Sequence, residues 1–273
     1  MNKLFFAALL AIVMGTACTT NNVEQDAALK TFFDSASVTG TFGIFDNAQG
    51  KFIIYDLARF RDSAYLPAST FKIFNSLAAL GTGVIFSDTV VVPWDGVERR
   101  PEWNKDMNMQ EAFKVSNVPF YQEMARRIGK DTMQLLLDSV GYGRRYDSFR
   151  IANNIDTFWL DNTLKITADE QLGFVKKLYF KQLTFQNREM ELVKAMMIQE
   201  RTDKYELAYK TGWGNTETGA ELGWVVGWIE ENKHVYPFAM HIESKDKNID
   251  MVKVRMDVFR KIMTHLGFFK GNK

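Results

Sequence analysis

A single cysteine, Cys18, among 273 residues leaves no intramolecular disulfide available, so packing alone must hold the fold. Histidine is nearly as scarce. The three present, His234, His241 and His265, all lie near the C-terminus, and no His-Glu-x-x-His metal motif occurs. There is no Gly-x-Ser-x-Gly elbow and no phosphate-binding glycine loop. Neither sign of charge is in excess: 34 Lys and Arg face 33 Asp and Glu, so a nucleic-acid partner has no electrostatic support. Internal repeats, low-complexity tracts and long Pro/Ser linkers are also missing, and after residue 14 no apolar run reaches transmembrane length.

What is present begins at the N-terminus. Lys3 precedes an apolar run, Leu4 to Met14, too short to span a bilayer but suited to a signal peptide. Gly15-Thr16-Ala17 supplies small residues for cleavage, which makes residues 1–17 a leader and sends the mature chain to the periplasm. Cys18, followed by Thr19-Thr20-Asn21-Asn22, resembles a bacterial lipoprotein cleavage site, although Gly15 stands where such sites carry an aliphatic residue. Cys18 is therefore a candidate for lipidation and a membrane tether, and the processed protein is either soluble or lipid-anchored. Residues 18–273 suit one domain.

Along that domain, Val23 to Ser37 reads as an amphipathic helix. Thr41 to Phe45 and Lys51 to Tyr55 are β-rich and separated by the turn-forming Asp46-Asn47-Ala48-Gln49-Gly50, which predicts a hairpin. Ser69 to Leu80 predicts a helix apolar on several faces, hence buried. Further helices are expected over Gln122 to Ile128 and Thr132 to Val140, and Thr167-Ala168-Asp169-Glu170 has the form of a capping box. Strand patterns return at Tyr205 to Thr211, Leu222 to Ile229 and Val235 to His241, and a helix closes the chain from about Ile249 to Leu266. Strands at both ends around a helical middle imply an α/β protein of the α+β type. One sheet is assembled from both termini, with a helical lobe, roughly residues 69–195, inserted between them.

The chemistry concentrates at the start of the buried helix. Ser69-Thr70-Phe71-Lys72 places a hydroxyl and an amine three residues apart on one face of a first turn. A serine needs a base to become a nucleophile, which a neutral lysine or a derivative of it can supply, and the helix N-terminus favours the developing negative charge. About one Ser-x-x-Lys is expected by chance in a chain of this length. A second match, Ser244-Lys245-Asp246-Lys247, lies in a charged stretch that reads as a solvated loop. Company separates the two. Ser116-Asn117-Val118 supplies a second hydroxyl, and Lys210-Thr211-Gly212 closes a strand with a cation, a hydroxyl and a residue that lets a ligand approach the backbone. His234 and His241 bracket a strand and read as turn or strand-end residues; nothing points to a Ser-His-Asp triad.

Ser-x-x-Lys, a second serine motif and Lys-Thr-Gly, in that order, form the three-part signature of penicillin-recognising serine enzymes. Within that superfamily the chain resembles the class D, oxacillinase-type serine β-lactamases over nearly all of its mature length. Ser69-Thr70-Phe71-Lys72 matches the nucleophile motif, and Ser116-Asn117-Val118 has the Ser-x-Val form. Phe158-Trp159-Leu160 is similar to the segment whose Trp contacts a modified lysine. Lys210-Thr211-Gly212-Trp213, the strand Leu222 to Trp228, and Arg255 ahead of Lys261-Ile262-Met263 complete the match. Two departures bear on substrate profile: Arg144 in Tyr142-Gly143-Arg144, where the family carries Asn, and Tyr209 before the Lys-Thr-Gly motif, where Ser is usual.

The resemblance implies a β-lactamase/transpeptidase-like fold and hydrolysis of β-lactam small molecules through an acyl-serine on Ser69. It also implies that Lys72 is N6-carboxylated by CO2 or bicarbonate and serves as the base in acylation and deacylation, with no metal and no organic cofactor. Ser116, Trp159 and Lys210 join Ser69 and Lys72 as catalytic residues. Val118, Thr211, Gly212, Trp213 and Arg255 bind substrate, Thr211 and Arg255 through its carboxylate. Carboxylation needs a neutral amine, and a lysine of pKa about 10.4 is neutral in roughly one molecule in 2,500 at pH 7, so burial of Lys72 is required. Phe71, Phe74, Val118, Trp159 and Leu160 are the expected apolar walls. Two other functions share the signature: a β-lactam sensor domain that stays acylated, and a penicillin-binding D,D-peptidase. Oligomeric state is not encoded in any of these features.

Overall fold

The hairpin near the N-terminus forms for the reason its turn suggests. Asp46 Oδ1 accepts the N–H groups of Ala48 and Gln49 at 2.8 and 2.9 Å, and Gly50 takes φ +65°, a left-handed conformation that costs glycine little. Strands β2 (Thr39–Asp46) and β3 (Lys51–Tyr55) thus pair antiparallel, with Asp46 opposite Lys51. The computed structural model describes residues 22–143 and 149–273. Cys18, the leader and Arg144 lie outside the described residues.

Upstream of the hairpin the expected single helix is divided. Val23–Gln25 forms a strand, β1, paired in parallel with β3, Val23 opposite Phe52. Asp26 then accepts the N–H of Ala28 at 2.9 Å and caps a 3₁₀ turn, so that α1 covers only Lys30–Ser35. A capping side chain and an open strand edge outweighed the helical periodicity.

From there the chain runs through α2 (Leu57–Asp62) and β4 (Ala64–Tyr65) to a 3₁₀ turn at Ala68–Phe71 that leads directly into α3 (Lys72–Gly81). After α4 (Met109–Lys114) come α5 (Val118–Ile128) and α6 (Lys130–Val140). The two-residue β5 (Ile166–Thr167) pairs with β4, and α7 (Ala168–Tyr179) and α8 (Asn187–Met197) follow. The Thr167–Glu170 capping box is present with both of its bonds. The C-terminal part is β6 (Ile198–Arg201), β7 (Tyr205–Asn215), β8 (Glu221–Glu231), β9 (His234–Ser244) and α9 (Met251–His265).

The seven-stranded sheet has the order β1-β3-β2-β9-β8-β7-β6, and its two halves join where β2 pairs antiparallel with β9, Thr39 opposite Glu243. Strand parity gives it two apolar faces. Phe42, Val225, Phe238 and Met240 pack with Phe259 and Ile262 of α9. Ala208, Trp224, Val226 and Ala239 belong to a larger core with α3, α5 and α7. Between residues 69 and 195 the structure is mainly helical, with two qualifications: β5 interrupts the helices, and α7 returns to cover the sheet. No helix among the described residues is long and apolar enough to cross a membrane.

Candidate active site

Four connected groups build the site, beginning with the turn that carries Ser69. Ala68 has φ +49°, a sparsely populated backbone for a residue with a Cβ, and Ser69 follows it half-buried. Neighbouring elements hold that turn in place. The N–H of Ala68 donates to Trp159 O at 3.1 Å, and Trp224 Nε1 donates to Leu66 O at 3.0 Å. Thr70 Oγ1 donates to Pro67 O and accepts from Gln171 Nε2, both at 2.7 Å. Gly212 of β7 lies against it so closely that a Cβ there would come within 3.0 Å of Pro67 O. That close approach is a physical reason for glycine in the Lys-Thr-Gly motif.

Lys72 opens α3 and is completely buried, its Nζ donating to Ser69 Oγ at 2.9 Å and lying 5.5 Å from the centre of the Tyr121 ring. Burial, helped by the positive charge of Lys210, holds the Lys72 amine well below its ordinary range. The helix behind it is fixed to α5 by two polar residues in an apolar run. Asn75 Nδ2 donates to Tyr121 O at 3.0 Å, and Ser76 Oγ and Tyr121 Oη are 2.8 Å apart. The sequence reading passed over this pair. Its signal was there in Asn75-Ser76, two polar residues within an otherwise apolar buried helix.

Ser116 joins α4 to α5 with φ +55°, while the adjacent Asn117 caps α5 by accepting the N–H of Phe120 at 2.9 Å. Lys210, on β7 and 5% exposed, donates to Ser116 Oγ at 3.1 Å and to Thr211 O at 3.3 Å. Desolvation first, and the Arg255 charge second, lower its pKa to about 7. The two lysines each meet a serine hydroxyl, and among the described residues neither has a carboxylate partner.

Arg255 reaches the same strand from α9. It is 7% exposed rather than a surface charge, and its Nη1 donates to Gly212 O at 2.6 Å. Its Nε has no acceptor among the described residues, and burial lowers its pKa to about 10. Thr211 is half-buried beside it, and Trp213 stands exposed with its Nε1 donating to Glu221 Oε2 at 2.8 Å. Because β6 pairs only as far as Ala208, β7 from Tyr209 onward has no strand on that edge among the described residues. Strand edge, Ser69 turn and the Arg255 guanidinium, with no carboxylate paired to it or to either lysine among the described residues, suit an anionic, amide-bearing small molecule.

Trp159 is fully buried, stacked on Phe71 at 5.1 Å, and its indole N–H has no acceptor among the described residues. Phe158 meets the same Phe71 ring edge-on at 5.1 Å, whereas Val118 and Leu160 are half-buried. The ring recorded over Lys72 is Tyr121, a wall the sequence reading omitted. Two buried N–H donors without an acidic partner among the described residues, on Trp159 and on Lys72, are chemically suited to an added negative group.

Two sequence expectations change. His241 is not a strand-end residue: it is fully buried within β9, between the Tyr65 and Trp224 rings at 4.8 and 5.0 Å, and desolvation lowers its pKa to about 3. Ser244 is not in a solvated loop. It is the buried last residue of β9, its Oγ accepting the N–H of Asp246 at 3.1 Å, and it meets no lysine amine. Charge in Lys245-Asp246-Lys247 hid the end of the strand.

The chain is similar to several known proteins. Residues 28–264 match the penicillin-binding protein transpeptidase domain family. The β-lactamase OXA-48 of Klebsiella pneumoniae is 36% identical over 236 residues, covering 86% of this chain and 87% of that protein. The regulatory protein BlaR1 of Bacillus licheniformis is 32% identical over 227 residues, 83% of this chain but 37% of that protein. The crystal structure of the class D β-lactamase YbXI from Nostoc superposes with a TM-score of 0.82 at 40% identity, covering 89% of this chain and 99% of that one.

Proposed function

The chain belongs to the class D β-lactamase family, hydrolases that act on the β-lactam amide bond, and from that premise we propose that it hydrolyses β-lactams through an acyl-serine on Ser69. The observation that carries this reading is the 2.9 Å contact between Ser69 Oγ and the buried amine of Lys72. As Ser69 Oγ attacks the lactam carbonyl, its proton passes to the Lys72 side chain, and the N–H groups of Ser69 and Trp213 stabilise the oxyanion. When the C–N bond breaks, Ser116 donates a proton to the departing nitrogen and is reprotonated from Lys210, 3.1 Å away. Thr211 and Arg255 hold the substrate carboxylate, Gly212 keeps the strand close, and Val118 packs against the ligand. Water then cleaves the ester, with the Lys72 side chain removing its proton.

We further propose that Lys72 works as N6-carboxylysine, formed with CO2 or bicarbonate. That group would supply a negatively charged base next to Ser69. Two features of this chain favour it: burial keeps the amine neutral enough to react, and the unpartnered Trp159 N–H would hold the added charge. No metal enters this scheme. For the whole chain, residues 1–17 serve as a leader to the periplasm, residues 18–273 form one domain, and Cys18 is a candidate lipid attachment point.

A sensor reading has less support. OXA-48 is 36% identical and the Nostoc class D enzyme 40%, against 32% for the regulatory protein. Bicarbonate provides the test of the Lys72 chemistry. Enzyme freed of CO2 at acid pH and returned to neutral buffer should regain activity in step with added bicarbonate, and a 13C-labelled carbamate resonance should appear that Lys72→Met lacks. Activity indifferent to bicarbonate after such treatment would leave Lys72 an ordinary amine.

A further inference from the structure

A cavity of about 270 Å³ lies beside the Ser116 loop, with Asn117 in its lining, and none of Ser69, Lys72, Ser116 or Lys210 lines it. Its outer wall forms where Val92 and Met107 exchange backbone hydrogen bonds of 2.9 and 3.2 Å, bringing Trp94 and Trp103 to one place. Both indole N–H groups are already used, Trp94 on Val97 O and Trp103 on Val115 O, each at 3.1 Å. Ring surface is what the two residues have left to offer a ligand, on Trp103 the face not covered by the Arg100 guanidinium, which lies 4.9 Å from that ring. The inner wall is one stripe of α5: Pro119, Phe120, Glu123, Arg126 and Arg127, at i, i+1, i+4, i+7 and i+8.

The charges of that stripe are unevenly satisfied. Glu123 is held by both arginines, at 3.0 Å from Arg126 and 2.8 Å from Arg127, and Arg126 also bonds Asp156 at 2.6 Å. Arg127 uses only its Nε in this network. Among the described residues its two terminal nitrogens have no protein acceptor, although the side chain is 43% exposed at the rim. Asp95, the other acid of the lining, is taken by Arg99 through both oxygens at 2.9 and 2.8 Å. A guanidinium with two terminal nitrogens still to be satisfied, lining the same cavity as two indoles, matches a planar aromatic anion, the guanidinium taking the carboxylate and the indoles the ring.

The cavity also touches the catalytic loop. Asn117, in its lining, lies between Ser116 and Val118, caps α5 and donates to Met107 Sδ at 3.2 Å, and Trp103 holds the carbonyl of Val115. Ser116 itself sits in left-handed backbone at φ +55°, so a small displacement of its neighbours changes where its hydroxyl points. We propose that this cavity is an effector site for small aromatic carboxylates, whose binding displaces the Ser116 loop and slows turnover. The binding part stands alone; the effect on turnover rests on the hydrolase reading above.

Calorimetric titration of 2-naphthoate into the Ser69→Ala protein tests binding without any catalysis. One site is expected, weakened about tenfold by Arg127→Gln, as for loss of a charged hydrogen bond, and weakened also by Trp94→Leu. The neutral 2-naphthalenemethanol should bind less well than the acid. In the unmodified protein, saturating 2-naphthoate should lower kcat for a chromogenic cephalosporin about fivefold, the smaller end of usual couplings, with KM little changed. Arg127→Gln should keep the basal rate and lose the inhibition. Absent binding, binding unaffected by Arg127→Gln, purely competitive inhibition, or binding with kcat unchanged would each overturn the proposal.

Discussion

Lys72 and Lys210 sit inside the protein, each against a serine hydroxyl and neither beside a carboxylate among the described residues. That arrangement opposes stability and serves chemistry. Lys210 has a folded pKa of about 7 against an ordinary 10.5, so between those values the unfolded chain binds more protons than the native one. Stability must therefore rise with pH across that window and be lost as pH falls toward 7, by on the order of a few kcal/mol. Urea melts in CO2-free buffer at pH 7, 8.5 and 10 check this: wild type should climb, and Lys210→Met should be flatter. The two Ser-x-x-Lys matches make a sharper pair. Penicillin should label Ser69 and not Ser69→Ala, while Ser244→Ala, at a serine whose hydroxyl only caps a turn, should keep turnover within about twofold. Peptide mapping of the label decides between them. Trp159→Phe keeps an aromatic ring on Phe71 while removing the unpartnered N–H together with part of the buried indole. Deacylation should slow about tenfold, and acyl-enzyme should accumulate in quenched samples.

At the scale of elements, the site is where β7, the Ser69 turn and α5 are fastened together, and the fastenings differ in how legible they were. Gly212 was readable as part of a motif, but its neighbour, Pro67 O, was not, because the contact links distant parts of the chain. Gly212→Ala must push β7 away from the turn by a few tenths of an ångström. We expect a loss of about 1 kcal/mol in stability and a larger effect on catalysis, about tenfold in kcat/KM, since the reacting groups are displaced together. Steady-state kinetics beside a thermal melt separates the two. Helix limits failed where capping, rather than periodicity, set them. Helix α5 starts at Val118 and not at Gln122, because Asn117 caps it and Pro119 fits its first turn. The expected helix from Val23 gave way to β1 because Asp26 starts the turn later and β3 had an edge to fill. By contrast, the hairpin, the Thr167 capping box and the three long C-terminal strands came through because each is fixed by local chemistry.

For the molecule as a whole, the pattern of strands at both ends and helices between was enough to foresee one sheet closed by β2 and β9. It did not reveal that α7 returns to the sheet, since an amphipathic helix does not encode which surface it covers. Nor did it reveal the burial of His241, which depends on Tyr65 and Trp224 closing over it from other strands. The consequence for function lies in a difference of burial: Lys72 is completely buried, while Ser69, whose hydroxyl is 2.9 Å from the lysine amine, remains half-exposed. A buried amine next to an accessible nucleophile suits acylation, and repeated turnover requires in addition that the ester be given up to water. Stopped-flow mixing of the protein with excess chromogenic cephalosporin in bicarbonate buffer measures this directly. Continued colour development far beyond one equivalent per protein, abolished by Ser69→Ala, is the predicted result; a burst of one equivalent followed by a stable acyl-protein would contradict hydrolysis and return the chain to the sensor class.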